Sequence, residues 1–369
     1  MTEAPLVVQR AGQLLDGKYR LDRKLGEGAF GEVWLADNST GHVVVKLLHP
    51  QWARTASVVE RFRREAVASS RISHPHVCRV YDYATTDDDI PFIVMEYLTG
   101  GTLKEGLKAN GPMRLGQVAK VMVPVCEAVA AAHQAGIVHR DLKPDNVMMT
   151  ARDGVDVPVV LDFGIAKLLD AADKLTQSGT MMGSPGYMSP EQCEGALDIG
   201  PAADVYSLAT LTFELLVGRT PFVSRSLAEM AMKHVIETPP PLVDVPPAFA
   251  KLVADCLAKK PQDRPTAGVL AAALRDAARE APEARASFGP TTVNPLLADP
   301  AAATADQATV LSTKTPEEIA REMEAHRRRS TAQVPVIDER PARRGGRWIV
   351  ALVVGGLLAL GVLVGLLLR

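Results

Sequence analysis

The chain has 369 residues, 47% of them apolar and 23% charged, and a formal net charge of -2. This composition can bury a substantial core, and the near-neutral balance excludes a general electrostatic pull towards nucleic acid. Cys78, Cys126, Cys193 and Cys256 stand far apart with no C-x-x-C pair, which excludes a zinc ribbon or disulfide framework and leaves free thiols in a reducing compartment.

Residues 1–10 lack a basic segment followed by an apolar run, so no signal peptide is expected. Residues 18–25 lead into Gly26-Glu27-Gly28-Ala29-Phe30-Gly31, and residues 33–36 and 42–48 are rich in β-formers. Three strands are therefore expected around a glycine turn. A dinucleotide-binding G-x-G-x-x-G needs a helix directly after it, whereas Val33 and Trp34 continue as a strand. Residues 57–71 place Val58, Phe62, Ala66 and Val67 at helical spacing, with Glu60 and Glu65 among arginines. Phe92-Ile93-Val94-Met95 reads as a buried strand ending in Glu96-Tyr97-Leu98. Residues 115–135 are helical and almost wholly apolar, as in a helix central to a large lobe. Pro124 within them predicts a kink or a late start, and His133 is expected to be a packing or surface histidine rather than a ligand. A further buried helix is expected from Asp204 to about Leu216, ended by Gly218, and a last one over residues 266–278.

Two strings carry the chemistry. His139-Arg140-Asp141-Leu142-Lys143-Pro144-Asp145-Asn146 and Asp162-Phe163-Gly164 gather the carboxylates, cations and amide needed to hold metal ions and polyphosphate against an attacking hydroxyl. They match HRDLKPxN and DFG in order, after Val43-Val44-Val45-Lys46 in the place of V-A-I-K and before Ser189-Pro190-Glu191 in the place of A-P-E. In these motifs, over residues 19–278, the chain resembles the eukaryotic-type serine/threonine protein kinases. The resemblance implies an α+β, two-lobed protein kinase fold, with a small β-rich N-lobe and a large α-helical C-lobe. It implies transfer of the ATP γ-phosphoryl to Ser/Thr hydroxyls of protein substrates, with ATP and Mg²⁺ as cofactors and Mn²⁺ as the alternative metal. A pseudokinase scaffold is the rival reading, disfavoured because the expected catalytic set is complete. A small-molecule phosphotransferase is disfavoured by the complete activation segment.

The same resemblance assigns roles. Gly26, Gly28 and Gly31 would close the main chain over phosphates without a Cβ in the way, with Val33 and Val44 against the adenine. Val44 stands where the family usually has Ala, which would crowd the nucleotide. Lys46 would hold the α- and β-phosphates and pair with Glu65, with Glu60 as the alternative partner. Met95 would border the pocket, and the main chain at Glu96 and Leu98 would bond adenine. Asp141 would orient the substrate hydroxyl, Lys143 would neutralise the transferred phosphoryl, and Asn146 and Asp162 would bind the metal. Asp145 receives no catalytic role. Lys143 also resembles serine/threonine rather than tyrosine kinases. Thr176, Ser178 and Thr180 are the expected phosphorylation sites of the activation segment, with Arg140 as one counter-charge. Asp204 would bond the catalytic-loop backbone, and Arg264 would pair with Glu191.

The remainder of the chain lies outside the resemblance. Residues 1–18 are read as an N-terminal extension and 279–347 as a disordered juxtamembrane linker, rich in Ala, Pro, Thr, Glu and Arg with Phe288 as its one aromatic. Within it a short helix is expected over residues 316–329. Residues 348–368 form an uncharged apolar run of roughly 21 residues, enough at ~1.5 Å each to cross a ~30 Å hydrocarbon core as a transmembrane helix. Arg343, Arg344 and Arg347 precede the run and Arg369 follows it, so a single pass through the inner membrane with the kinase domain cytoplasmic is expected. No extracellular sensor is expected beyond Arg369. Gly361 and Gly365, and Ala351, Gly355 and Ala359, have the small-residue spacing of paired helices, so a homodimer stands beside a monomeric anchor.

Overall fold

The computed structural model describes residues 10–28, 30–163, 185–224 and 226–289, with Glu65 described by its backbone only. Its first layer is a six-stranded antiparallel sheet of β1 (Leu14–Leu15), β2 (Tyr19–Glu27), β3 (Gly31–Asn38), β4 (Gly41–Leu48), β5 (Val80–Thr85) and β6 (Pro91–Glu96), in the order β1-β2-β3-β4-β6-β5. The three expected strands are β2 to β4, and residues 14–15 of the extension add an edge strand to them. Val43, Val44 and Val45 of β4 are all buried, Val43 and Val45 within the sheet's core. Helix α1 (Pro50–Ala53) and helix α2 (Ala56–Ser70) follow β4, and Phe62 and Ala66 of α2 join the sheet's core of Trp34, Val45, Leu47, Phe92 and Val94.

Below the sheet the chain turns helical. The short strand β7 (Gly101–Thr102) leads into α3 (Leu103–Asn110), which starts with a capping box: Thr102 accepts from the Glu105 amide at 3.2 Å while Glu105 accepts from the Thr102 amide at 2.8 Å. Helix α4 (Leu115–Gln134) runs unbroken through Pro124, so the late start read from that residue does not occur. Tertiary burial outweighs one missing donor: Val118, Met122, Val125, Cys126 and Val129 are wholly enclosed, at about 1.5–3 kcal/mol for each large side chain. By length and apolarity α4 resembles a membrane span, yet it is the C-lobe's core helix.

Strands β8 (Val147–Arg152) and β9 (Val155–Val160) form a hairpin beside β7. Then come α5 (Pro190–Cys193), α6 (Pro201–Val217), α7 (Leu227–Ile236), β10 (Leu242–Val243), α8 (Pro247–Cys256), α9 (Ala267–Glu280) and β11 (Ser287–Phe288). Helix α6 starts three residues before Asp204 and is buried on nearly every side. Its hydroxyls survive there because Thr210 and Thr212 donate back to the Tyr206 and Leu208 carbonyls at 3.0 and 2.8 Å. Gly218, at φ 87°, ends it in the left-handed conformation that a side chain would resist.

The linker expected from residue 279 does not begin there. Helix α9 continues to Glu280, and residues 281–289 fold back across the lobe. The Leu115 and Gly116 amides, unpaired at the start of α4, donate to Ala284 and Pro282 carbonyls at 3.0 and 2.9 Å, and Glu283 pairs with Arg114. Strand β11 pairs with β10, and the Arg219 guanidinium lies 3.9 Å from the centre of the Phe288 ring. Composition suggested disorder; caps and one aromatic contact supply the order instead.

Candidate active site

The catalytic loop begins where α4 stops. Gly136, at φ 74°, donates to the His133 carbonyl at 3.0 Å and Ile137 donates to the Ala132 carbonyl at 2.9 Å, a paired C-cap that reverses the chain. The loop is then gripped by one buried carboxylate. Asp204 accepts from the His139 amide at 2.8 Å, the Arg140 amide at 2.7 Å and His133 Nε2 at 2.8 Å. His133 therefore packs as expected, but its work is to brace Asp204. Arg140 sits at φ 66°, a conformation that strains any residue with a Cβ, and the carboxylate holds it there together with Gln192, which donates to the Arg140 carbonyl at 2.8 Å.

This grip presents Asp141. Its Oδ2 accepts from Lys143 Nζ at 3.0 Å and from Asn146 Nδ2 at 3.3 Å, and Asn146 Nδ2 also donates to the Asp141 carbonyl at 2.8 Å. These bonds fix which end of the Asn146 amide is nitrogen and leave its oxygen, among the described residues, as an acceptor without a hydrogen-bond donor. The fully buried His139 links the loop to the next motif, with its Nε2 2.9 Å from the Leu161 carbonyl and its ring 4.8 Å from that of Phe163.

Lys46 reaches across from β4 to Asp162, donating to Oδ2 at 2.8 Å. Burial opposes ionisation of Asp162, but the charge and hydrogen bond of Lys46 outweigh it and hold the carboxyl below its usual range. Asp141 is near enough to oppose that ionisation too, so the two carboxylates share one site. Asp162 has φ 30°, a second strained residue in the same site. The Glu65 side chain lies outside the described residues, whereas Glu60 is half-exposed and accepts from Arg63 and Arg64 at 2.8 Å each, a surface charge with its own partners.

The glycine turn bears partly on the sheet itself. A Cβ at Gly31 would overlap the Leu47 carbonyl oxygen, so this glycine is required by the β3–β4 approach as well as by the expected phosphate contact. Around Gly26 there is open space. Val33 stands opposite Lys46, and Val44 opposite Met95, in the strand registers. Leu98 and Val159 pack with Met95, Met148 and Leu161 to complete an apolar wall; Met148 and Leu161 carry no motif and were missed in the sequence. The Glu96 amide already donates to the Arg79 carbonyl at 2.9 Å, so it is not free to bond a purine, and the Glu96 carbonyl accepts a long contact from Cys78 Sγ at 3.9 Å.

Thr176, Ser178, Thr180 and Gly164 lie outside the described residues. Arg140 donates to the Ile199 carbonyl at 3.1 Å, while its buried Nε has no hydrogen-bond partner among the described residues. Arg264 forks onto Glu191 with two bonds of 2.8 Å and also donates to the carbonyls of Ala258, Ala202 and Lys259. Both expected structural pairings, Asp204 with the loop and Arg264 with Glu191, are present.

A β-lobe and a helical lobe, with an ammonium, two carboxylates and an amide converging at their boundary, define a two-lobed protein of the kinase class. The family model described as "Protein kinase domain" matches residues 19–274, and the chain belongs to that family. Among curated relatives, serine/threonine-protein kinase pkn3 of Myxococcus xanthus is 38% identical over 69% of this chain and 48% of its own length. Serine/threonine-protein kinase PknA of Mycobacterium tuberculosis is 39% identical over 70% of this chain and 61% of its own. The chain thus spans about half the length of these relatives. The crystal structure of the M. tuberculosis PknI kinase domain aligns with a TM-score of 0.57 and 29% identity, covering 73% of this chain and 98% of that one.

Proposed function

We propose that this protein is a serine/threonine kinase that transfers the ATP γ-phosphoryl to protein hydroxyls. The observation that carries this is the convergence of Lys46, Asp141, Asn146 and Asp162 at one boundary. The donor set fits a hard cation: an Asp162 carboxyl held below its usual range and an Asn146 amide whose oxygen meets no donor among the described residues. When bound, Mg²⁺ with ATP supplies neutralisation of the charge on the β- and γ-phosphate oxygens. The chain's own residues do the rest. Lys46, poised on Asp162, offers its ammonium to the phosphates. Asp141 orients the substrate hydroxyl and accepts its proton at the carboxylate, and Lys143, held on that carboxylate, places a positive charge beside the transferred group.

The regulatory and cellular parts of the proposal rest on sequence. Phosphorylation at Thr176, Ser178 or Thr180 would bring roughly -1.5 to -2 charge to the segment; the Nε of Arg140, without a hydrogen-bond partner among the described residues, supports a role in receiving it. Residues 348–368 would anchor the chain in the inner membrane with the kinase domain on the cytoplasmic side, and pairing of that helix would favour phosphorylation between copies.

The test is purified protein incubated with ATP, Mg²⁺ and a generic basic protein, beside Asp141→Asn. Asp141→Asn should keep nucleotide binding within about twofold while losing roughly 10²-fold or more in kcat. Near-normal transfer by that variant would exclude the mechanism.

A further inference from the structure

A glycine turn positions phosphates only if its tip is fixed relative to the lysine that shares them, and here the fixing group lies outside every motif. His49 follows β4, three residues after Lys46. Its amide donates to the Phe30 carbonyl at 2.8 Å, and its Nε2 lies 3.1 Å from the Gly28 carbonyl. A carbonyl only accepts, so Nε2 carries the proton. The Gly28 amide donates to the Gly31 carbonyl at 2.8 Å, closing the turn on itself. Phe30 then rests against Trp52 of α1, ring centres 5.7 Å apart. The imidazole is only 17% exposed, and Glu27 places Oε1 3.7 Å from the same nitrogen while its Oε2 accepts from Lys24 at 2.6 Å.

We propose that His49 is a positioning residue for the nucleotide phosphates: its imidazole holds the Gly28 carbonyl, and with it the near side of the turn, at a set distance from Lys46. The proposal rests on the ATP-dependent reading given above. Strand β4 carries Lys46 and leads directly to His49, so one rigid element sets both the cation and the clamp. Without the imidazole, the main-chain bond from His49 to Phe30 persists and the sheet is untouched, but the Gly28 side is released. ATP must then order that side as it binds, which weakens binding more than turnover.

The experiment compares the full chain with His49→Ala, His49→Gln and His49→Asn, reading ATP Kd by calorimetry with Mg²⁺, KM and kcat, and the melting temperature. Loss of one hydrogen bond corresponds to a roughly three- to tenfold rise in Kd and KM for ATP in His49→Ala, with kcat within about twofold and melting unchanged. The Gln amide nitrogen can reach the place of Nε2 and should restore most of the affinity, while the shorter Asn should not. An unchanged Kd in His49→Ala, or equal behaviour of Gln and Asn, overturns the proposal. Equal losses in all three variants together with lowered melting assign His49 a structural role only and also overturn it. A parent chain that fails to bind ATP overturns the kinase reading as well, so the two failures are distinct.

Discussion

Asp204→Asn should separate the folding of this site from its chemistry. In the parent, Oδ2 serves the His139 amide and His133 while Oδ1 serves the Arg140 amide alone. An asparagine can keep one oxygen, and the arrangement that loses least leaves its NH₂ group facing the Arg140 N–H. That buried donor then has no acceptor, at about 1–3 kcal/mol. The bond also restrains Arg140 at φ 66°, where strain is worth roughly 1–3 kcal/mol, so part of the loss is returned when the backbone relaxes. The net expectation is a destabilisation of about 1 kcal/mol. The relaxation displaces Asp141, the next residue, so kcat should fall roughly 10²-fold while KM for ATP, set by groups across the boundary, changes little. Urea titration by circular dichroism and steady-state kinetics on the same preparations measure both. Parent-like kcat despite the lost stability would show that the Asp204 grip does not position Asp141, and the reasoning would fail.

Arg264→Leu removes the fork onto Glu191 and the three carbonyl bonds, and removal of one partner from a buried pair costs about 3–5 kcal/mol, which chemical denaturation will read directly. A chain ending at Glu280 uncovers the Leu115 and Gly116 amides and loses the Phe288 contact; a loss of about 2 kcal/mol, or roughly 4–8 °C in melting temperature, is expected, and equal melting of the two chains would refute a structural role for residues 281–289. His234 is wholly enclosed, bonded to the Tyr206 hydroxyl at 2.8 Å, and burial pushes its pKa down to about 3. Above about pH 6.5 the imidazole is neutral in both folded and unfolded chains and stability is full; as pH falls towards 3 only the unfolded chain takes up the proton, so about 3 kcal/mol is lost by pH ~4. His234→Asn should flatten that slope in urea midpoints measured across pH, and an unaltered slope would assign the acid sensitivity elsewhere.

Much of the site was legible because its chemistry demands particular residues at particular separations along the chain. Asp141, Lys143 and Asn146 lie within one short loop, so their meeting follows from local geometry, and Lys46 follows the buried valines of β4 that announce it. The α4 and α6 cores were equally plain from apolar continuity, since burial is the dominant stabilising term and writes itself into composition. What the tertiary structure decided are contacts between residues far apart in sequence and common in type. Nothing about His133, His49 or Met148 marks them out locally; each acquires its part from what the fold sets opposite it, the Asp204 carboxylate, the Gly28 carbonyl and the apolar wall beside Met95. Residues 281–289 make the same point in reverse. Their composition cannot support a core of their own, and they are ordered because α4 begins with unpaired amides that their carbonyls satisfy, a complementarity that exists only once both segments have been folded together.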